Sequence, residues 1–484
     1  MSHGHEILLG LWIRSTHAEW VIQEGNHVYF IGICGTAMAS CAGALKSRGY
    51  KVSGSDANVY PPMSTFLEQQ GIELHEGFDP ERFEHPPDLI VIGNALSRGN
   101  PEVEYVLARK WRYCSLPELL RECFIRGKRS IVVSGTHGKT TTTSMIAWIL
   151  EHAGFNPSFL IGGIPCNFQQ GARITSSEWM VLEGDEYDTA FFDKRSKFIH
   201  YLPEIAIVNN IEFDHADIFE NLAAVQKSFS HFIRLVPSNG LLLANGTDAN
   251  VAPLIDVDFC PVKRFGLVGN QDFVARPIPS GMGMISFEVQ GDTYHLPMIG
   301  EHNMENALAA IGCARHCGIP VSTIQSALRA FKGVKRRLEI MGQPGGVTLI
   351  DDFAHHPTAI KKMIRTLKEA YPESRLWTLF EPRSNTTRRC IFQQELTDAF
   401  SESDMTLFGA IAREDLLQPS ERLDLNSIVK TIQAQGKIAK MMPDANSMAA
   451  EVAAHARSGD VVAILSNGAF GGVHAKILTA LSES

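Results

Sequence analysis

Apolar runs of strand length recur along the chain, and most lack the polar alternation of a strand with one face in water. His27–Ile33 (HVYFIGI), Lys51–Asp56 (KVSGSD) and Asp88–Gly93 (DLIVIG) form a first set, with a helix-like stretch from Thr36 to Gly49. A second set opens with Ser130–Gly135 (SIVVSG) and a helix carrying Met145, Ile146, Ile149 and Leu150. It continues through Trp179–Gly184, Ile205–Asn210 and Gly240–Asn245, and an Ala-rich helix is expected over Asn303–Cys317. The third set is GVTLIDD, LWTLFEP, DMTLFG and VVAILSNG, and one helix between its strands places Ile360, Met363, Ile364 and Leu367 on a single face. Continuous apolar strands alternating with helices predict mostly parallel sheets covered on both sides, hence an α/β protein. Asp272–Leu296 departs from this, because its alternation and glycines predict antiparallel hairpins on one edge.

A chain of 484 residues exceeds one hydrophobic core. Glycine and charge clusters at Arg126–Arg129 and Met341–Gly346 read as linkers, which predicts domains over 27–127, 128–342 and 343–484, preceded by an extension over 1–26. The net charge of −9 argues against a nucleic-acid binder, and any anionic substrate must be held by local groups. No apolar run is long enough to span a membrane, and the first residues lack the basic region and cleavage site of a signal peptide. Nine cysteines, an odd number with no CxxC pair, fit reduced thiols in the cytoplasm.

The strongest chemical signal is Gly135-Thr136-His137-Gly138-Lys139-Thr140-Thr141, between a strand and a helix. Glycines let backbone N–H groups face phosphate oxygens at a helix N-terminus, where the helix dipole also favours anions. Lys139 would reach the β/γ-phosphates of ATP and the Thr140 hydroxyl would face Mg²⁺. The longer G-x-x-x-x-G-K-[ST] pattern is not met, because Val133 stands where it requires glycine. Glu183-Gly184-Asp185-Glu186-Tyr187-Asp188 follows a buried strand, where a parallel domain presents metal ligands; oxygen donors suit Mg²⁺, and the bland alternative is a solvated acidic loop. Asn209–His215 also follows an apolar strand, and His215 is a candidate second metal ligand.

Weaker signals follow. Asn303 and Asn306 open the Ala-rich helix and could meet an adenine edge, although Asn is also a common cap. Lys335-Arg336-Arg337 could neutralise phosphate across a cleft or be solvated surface. Asp351–Pro357 holds a His pair, and Cys313, His316 and Cys317 also look like metal donors; the latter read as core thiols beside an exposed His, and zinc is not expected. Gly32-Ile33-Cys34-Gly35-Thr36-Ala37 is similar to a dinucleotide-binding turn with Cys34 and Ala37 in place of glycines, and Asp56 is spaced to meet a ribose. A nicotinamide cofactor and a UDP group would both use these amides.

In this order, GTHGKTT, EGDEYD, NNIEFDH, HNMENALAA, KRRLE and DDFAHHP resemble the Mur ligase family from about Val28 to the C-terminus. The resemblance implies Rossmann-like N- and C-terminal domains around a P-loop ATPase centre: a UDP-substrate-binding domain, an ATP-binding domain, and one that closes over ATP and the incoming amine. It implies Gly32, Cys34, Gly35, Thr36, Asp56, Asn94 and Ser97 for the UDP substrate. It implies Gly135–Thr141, Asn303, Asn306, Arg337 and Asp352 for ATP, with Thr140, Glu183 and His215 on Mg²⁺ and Lys139, Glu183, His215 and Arg337 in catalysis.

Two branches of the family share these signatures. One adds L-alanine to UDP-N-acetylmuramate; the other adds the murein tripeptide L-alanyl-γ-D-glutamyl-meso-diaminopimelate. GICGTAM, GSDANVYPPMSTFLEQQGIEL and EPRSNTTRR (Glu381–Arg389) resemble the second branch. A cytoplasmic ATP-dependent ligase of peptidoglycan recycling is thereby expected, a monomer or weak dimer without nucleic-acid or membrane partners. A nicotinamide dehydrogenase leaves the second block unexplained, and an ATP-regulated binding module leaves the Mg²⁺ ligands without work.

Overall fold

The computed structural model describes residues 22–60, 63–281 and 283–482. Most of the expected extension therefore lies outside the described residues. Its last part packs inward: Ile22 is buried and its carbonyl accepts from Tyr50 Oη at 3.1 Å.

The first sheet contains β1 (His27–Ile31), β2 (Lys51–Asp56), β3 (Glu73–Glu76), β4 (Leu89–Ile92) and β5 (Tyr113–Ser115). All are parallel, in the order β3-β2-β1-β4-β5. The order reverses at β1, so the crevice beyond the strand ends opens between β1 and β4, where α/β sheets bind ligands. The helix Thr36–Ser47 starts at that crevice and buries Met38, Cys41, Ala42 and Leu45.

The central sheet is larger. It contains β6 (Arg129–Ser134), β7 (Ser158–Leu160), β8 (Ala172–Arg173) and β9 (Trp179–Glu183), then, past a hairpin of β10 (Asp188–Ala190) and β11 (Asp193–Ser196), β12 (Ile205–Val208), β13 (Leu241–Asn245), β14 (Val262–Gly266) and β15 (Phe273–Val274). The order is β15-β14-β13-β12-β6-β9-β7-β8, with only β7 and β8 antiparallel. β6 sits in the middle, buried on both faces, which is why it reads as unbroken SIVVS. The helices Lys139–His152 and Glu301–His316 pack together on one face. The second is the expected Ala-rich helix, which starts after Gly300 and includes Glu301 and His302. The expected hairpins form a separate antiparallel sheet of β16 (Arg276–Ile278), β17 (Ile285–Val289) and β18 (Asp292–Leu296).

The last sheet comprises β19 (Glu339–Gly342), β20 (Thr348–Asp352), β21 (Leu376–Phe380), β22 (Met405–Phe408), β23 (Ile438–Met441) and β24 (Val461–Leu465). It is parallel except for β19, in the order β19-β20-β24-β21-β22-β23. Met341 and Gly342, read from sequence as linker, belong to this edge strand, so the chain joins the third sheet before that stretch. The helix Pro357–Ala370 buries Ile360, Met363, Ile364 and Leu367, the face that periodicity marked. No helix among the described residues is long and apolar enough to cross a membrane.

Candidate active site

β6 ends in the loop Gly135–Gly138, which feeds the helix Lys139–His152. Gly138 has φ +78°, and a Cβ there would run into Asn306 Oδ1. The turn therefore needs glycine twice over, for its backbone and for its neighbour. Asn210 holds the loop down: its carbonyl accepts from Thr136 N–H (3.0 Å) and its Oδ1 from His137 N–H (2.7 Å). Behind the loop, Asn209 Nδ2 donates to Thr142 Oγ1 at 3.0 Å, and Thr142 donates to Asn306 Oδ1 at 3.1 Å. Asn306 Nδ2 in turn donates to Asn303. Asn306 thus braces the helix that follows the loop through its Oδ1, while its Nδ2 is tied within its own helix.

Lys139 Nζ donates to Gly135 O (2.6 Å) and to Glu186 Oε1 (2.9 Å). Burial pulls the ammonium's pKa down, but the charges of Glu186 and Asp185 outweigh it and hold it above the ordinary lysine value. His215 Nε2 lies 3.0 Å from the same Glu186 oxygen. Burial disfavours the imidazolium, yet the Glu186 hydrogen bond and charge raise the His215 pKa overall. Glu186 is almost fully buried and holds both side chains.

Glu183 stands at the C-terminal end of β9. Its Oε1 accepts from Thr140 Oγ1 (2.9 Å) and its Oε2 from Gly162 N–H (2.7 Å). Burial pushes its pKa up, more than the Lys139 charge brings it down. A hydroxyl and a carboxylate in hydrogen-bond contact beside a phosphate loop are the hard oxygen donors that Mg²⁺ takes, so the residues fit that ion.

The third sheet contributes the opposite wall. Arg336 and Leu338 both have positive φ (+60° and +51°), and Arg337 between them stacks over Phe353 (4.9 Å) with Nη2 3.5 Å from Thr140 Oγ1. Asp352 accepts from the N–H groups of Leu338 and Ala354, each at 2.7 Å, and burial raises its pKa. Thr136, His137, Gly138, Lys139, Thr140, Thr141, Glu183, His215, Asn303, Asn306, Arg337 and Asp352 all line one cavity of about 260 Å³. Gly135 lies outside the lining, where a Cβ would press on Asn209 and Asn210.

A second cavity of about 1170 Å³ runs from the crevice of the first sheet to the central one. Cys34, Gly35, Thr36, Asp56 and Asn94 line it; Gly32 and Ser97 do not. Gly32 has φ +85° and its N–H donates to Ser55 O, which makes it a turn residue. Ser97 Oγ is 3.4 Å from its neighbour's carbonyl, that of Arg98. Asp56 staples the turn, since its Oδ2 accepts from Cys34 N–H at 2.8 Å. Burial pushes the Cys34 thiol up to about 11, so it is no nucleophile at neutral pH.

The two cavities share Gly162, Glu183 and Asp185. Sequence motifs missed Gly162 and Lys197, whose Nζ lies 2.5 Å from Asp185 Oδ2 and which lines the larger cavity. No local pattern marks Lys197; the β10–β11 hairpin just before it brings it back beneath Asp185.

Family models match three stretches of the chain. They are the Mur ligase family catalytic domain over 27–127, the Mur ligase middle domain over 133–314 and the Mur ligase glutamate ligase domain over 336–468. The chain is 41% identical over 461 residues to the UDP-N-acetylmuramate–L-alanyl-γ-D-glutamyl-meso-2,6-diaminoheptandioate ligase of Escherichia coli K12, covering 94% of this chain and 98% of that protein. It is 34% identical over 420 residues to the UDP-N-acetylmuramate–L-alanine ligase of Desulforapulum autotrophicum, covering 86% and 89%. The crystal structure of a murein peptide ligase from Psychrobacter arcticus superposes with a TM-score of 0.69 at 36% identity, covering 95% of this chain and 99% of that one.

Proposed function

The chain belongs to the Mur ligase family, and from that premise we propose that it joins L-alanyl-γ-D-glutamyl-meso-diaminopimelate to UDP-N-acetylmuramate at the expense of ATP. The higher identity to a ligase of that tripeptide than to an L-alanine ligase supports this choice of amine. So does Glu381–Arg389, the segment that resembles the tripeptide branch. It reaches the central sheet through Thr386 Oγ1 to Asp214 Oδ1 (2.9 Å) and Asn385 Nδ2 to Asp217 Oδ2 (2.7 Å), directly beside His215.

The observation that carries the reading is the junction of the two cavities at Gly162, Glu183 and Asp185. A nucleotide-linked acid in the larger one and ATP in the smaller one would meet there. A free carboxylate does not acylate an amine, because its leaving group would be hydroxide. In the reaction proposed, the lactyl carboxylate oxygen attacks the γ-phosphorus and ADP leaves. The peptide amine then attacks the acyl carbon of the mixed anhydride, and phosphate departs with the former carboxylate oxygen.

Phosphoryl transfer needs positioning and charge neutralisation more than covalent help. Lys139 moves from Gly135 O and Glu186 onto the phosphates, and Arg337 adds a second positive group from the third sheet. Loop N–H groups hold the phosphates at the helix N-terminus. Thr140 and Glu183 would hold Mg²⁺, with His215 available to a second ion; bound there, Mg²⁺ neutralises charge on the transferring phosphoryl group. Asp185, where the two cavities meet, and Lys197 beside it in the larger one orient the acid. The third sheet shields the acyl-phosphate from water when it closes. Nine free thiols suit a cytoplasmic enzyme, working as a monomer or weak dimer.

The test is isotopic. UDP-N-acetylmuramate labelled with ¹⁸O in its carboxylate, incubated with ATP, Mg²⁺ and tripeptide, is expected to pass one labelled oxygen to each phosphate released. Unlabelled phosphate would refute the acyl-phosphate route.

A further inference from the structure

Three residues from separate motifs converge at the edge of the smaller cavity, which His137 and His356 line, and their side chains carry no step of the proposed reaction. Glu212 Oε2 lies 3.2 Å from His137 Nε2 and 3.3 Å from His356 Nδ1. One ligand atom from each residue can be chosen so that all lie within 4.8 Å of one another. His137 belongs to the phosphate loop, Glu212 follows β12, and His356 caps the helix Pro357–Ala370 of the third domain.

The hydrogen bonds around His356 set its tautomer. Its Nε2 is 3.1 Å from the carbonyl of Phe213, which can only accept, so Nε2 carries the proton. Nδ1 is then the ring's acceptor, and it takes the Thr358 N–H at 3.3 Å. It also lies 3.3 Å from Glu212 Oε2, and a cation set between the two would draw on a lone pair from each.

We propose that His137, Glu212 and His356 form a site for a divalent transition-metal ion of the zinc class, separate from the Thr140–Glu183 pair. Two imidazoles and one carboxylate are borderline donors that favour such ions over Mg²⁺. Tetrahedral bonds of about 2.0–2.1 Å put neighbouring ligand atoms about 3.3 Å apart, which matches the two Glu212 contacts. The imidazole–imidazole edge closes by side-chain rotation.

The ligand backbones are already fixed. His137 N–H is held by Asn210 Oδ1 at 2.7 Å, and Glu212 N–H donates to Thr136 Oγ1 at 2.9 Å. The ion joins the phosphate loop to the third domain, so it holds that domain against the central one and slows any turnover that requires their separation. Zinc was not expected from the sequence, where Cys313, His316 and Cys317 read as core thiols beside an exposed His.

The experiment does not depend on ligase activity, so its failure leaves the proposed reaction standing. Metal-free full-length protein in excess Mg²⁺ is titrated with Co²⁺ and followed by its visible d–d absorption. One Co²⁺ per chain with a four-coordinate spectrum is expected, and Zn²⁺ displaces it. Loss of a direct ligand in Glu212→Gln or His356→Ala is expected to weaken Co²⁺ binding by at least about a hundredfold, since loss of outer-shell partners alone costs ten- to a hundredfold. His355→Ala retains the spectrum. Circular dichroism verifies the fold of each variant, and the near-isosteric Glu212→Gln serves if His356→Ala does not fold. No uptake by the unmodified protein, or uptake unchanged in Glu212→Gln, overturns the proposal.

Discussion

Thr140 Oγ1 donates to Glu183 Oε1 at 2.9 Å, which ties the first turn of the phosphate-loop helix to the end of the adjacent strand. The hydroxyl and carboxylate are held where a nucleotide-bound Mg²⁺ would meet both. Glu183→Gln keeps the size and one acceptor but loses the charge. Its kcat/KM for ATP-driven phosphate release is expected to fall on the order of 10³, the loss typical of removing one charge-stabilising group at a transition state. Glu183→Asp recovers part of it. A Glu183→Gln enzyme within fivefold of the parent would remove this carboxylate from the reaction.

Gly138 allows the loop to turn and Asn306 to lean on it. Gly138→Ala places a methyl against Asn306 Oδ1 at a positive φ, so both the turn and its brace must move. Calorimetric titration with ATP is expected to show no measurable binding, while the thermal unfolding of the rest of the chain stays cooperative. Unchanged ATP affinity would mean that the loop does not carry the phosphates.

Glu186 Oε1 holds two nitrogens at once, Lys139 Nζ at 2.9 Å and His215 Nε2 at 3.0 Å. Glu186→Ala removes the hydrogen-bonded carboxylate of the mostly buried Lys139, leaving the charges of Asp185 and Glu183, and breaking such a pair costs about 3 kcal/mol. Urea unfolding at neutral pH is expected to show a loss of that order, with the His215 pKa falling. A loss under about 1 kcal/mol would show that water replaces the carboxylate there.

His302 sits in the wall of the smaller cavity, where burial and the charges of Lys362 and Arg337 push its pKa down to about 4 from 6.5. Between those values the unfolded chain binds more protons than the folded one. Its contribution is therefore complete above pH 6.5 and is lost as pH falls toward 4, at up to about 1 kcal/mol per pH unit. His302→Gln is expected to flatten this part of the stability profile, read as urea midpoints at pH 7 and pH 5. The same drop in both proteins would assign the acid sensitivity elsewhere.

Much of this architecture is legible in the sequence because central parallel strands are buried on both faces. SIVVS and VVAIL read as strands without reference to anything else, and GTHGKTT between strand and helix announces its own chemistry. What lay hidden depends on contacts across the fold. β19 escaped notice because an edge strand pairs on one side only, and its Ile340 and Met341 face solvent. Lys197 belongs to no motif and comes to Asp185 through a hairpin. Asp56 has the spacing of a ribose ligand, yet its Oδ2 holds the Cys34 amide. The meeting of His137, Glu212 and His356 needs the central and third domains side by side, which no local pattern encodes.

Amine choice is the most direct test of the whole account. Phosphate release is measured with ATP, Mg²⁺ and UDP-N-acetylmuramate, offering the tripeptide and L-alanine separately at equal concentration, and the products are weighed by mass spectrometry. Release is expected with the tripeptide, together with a product whose mass is the sum of both substrates less water, and little release on L-alanine. Turnover on L-alanine without turnover on the tripeptide would contradict it.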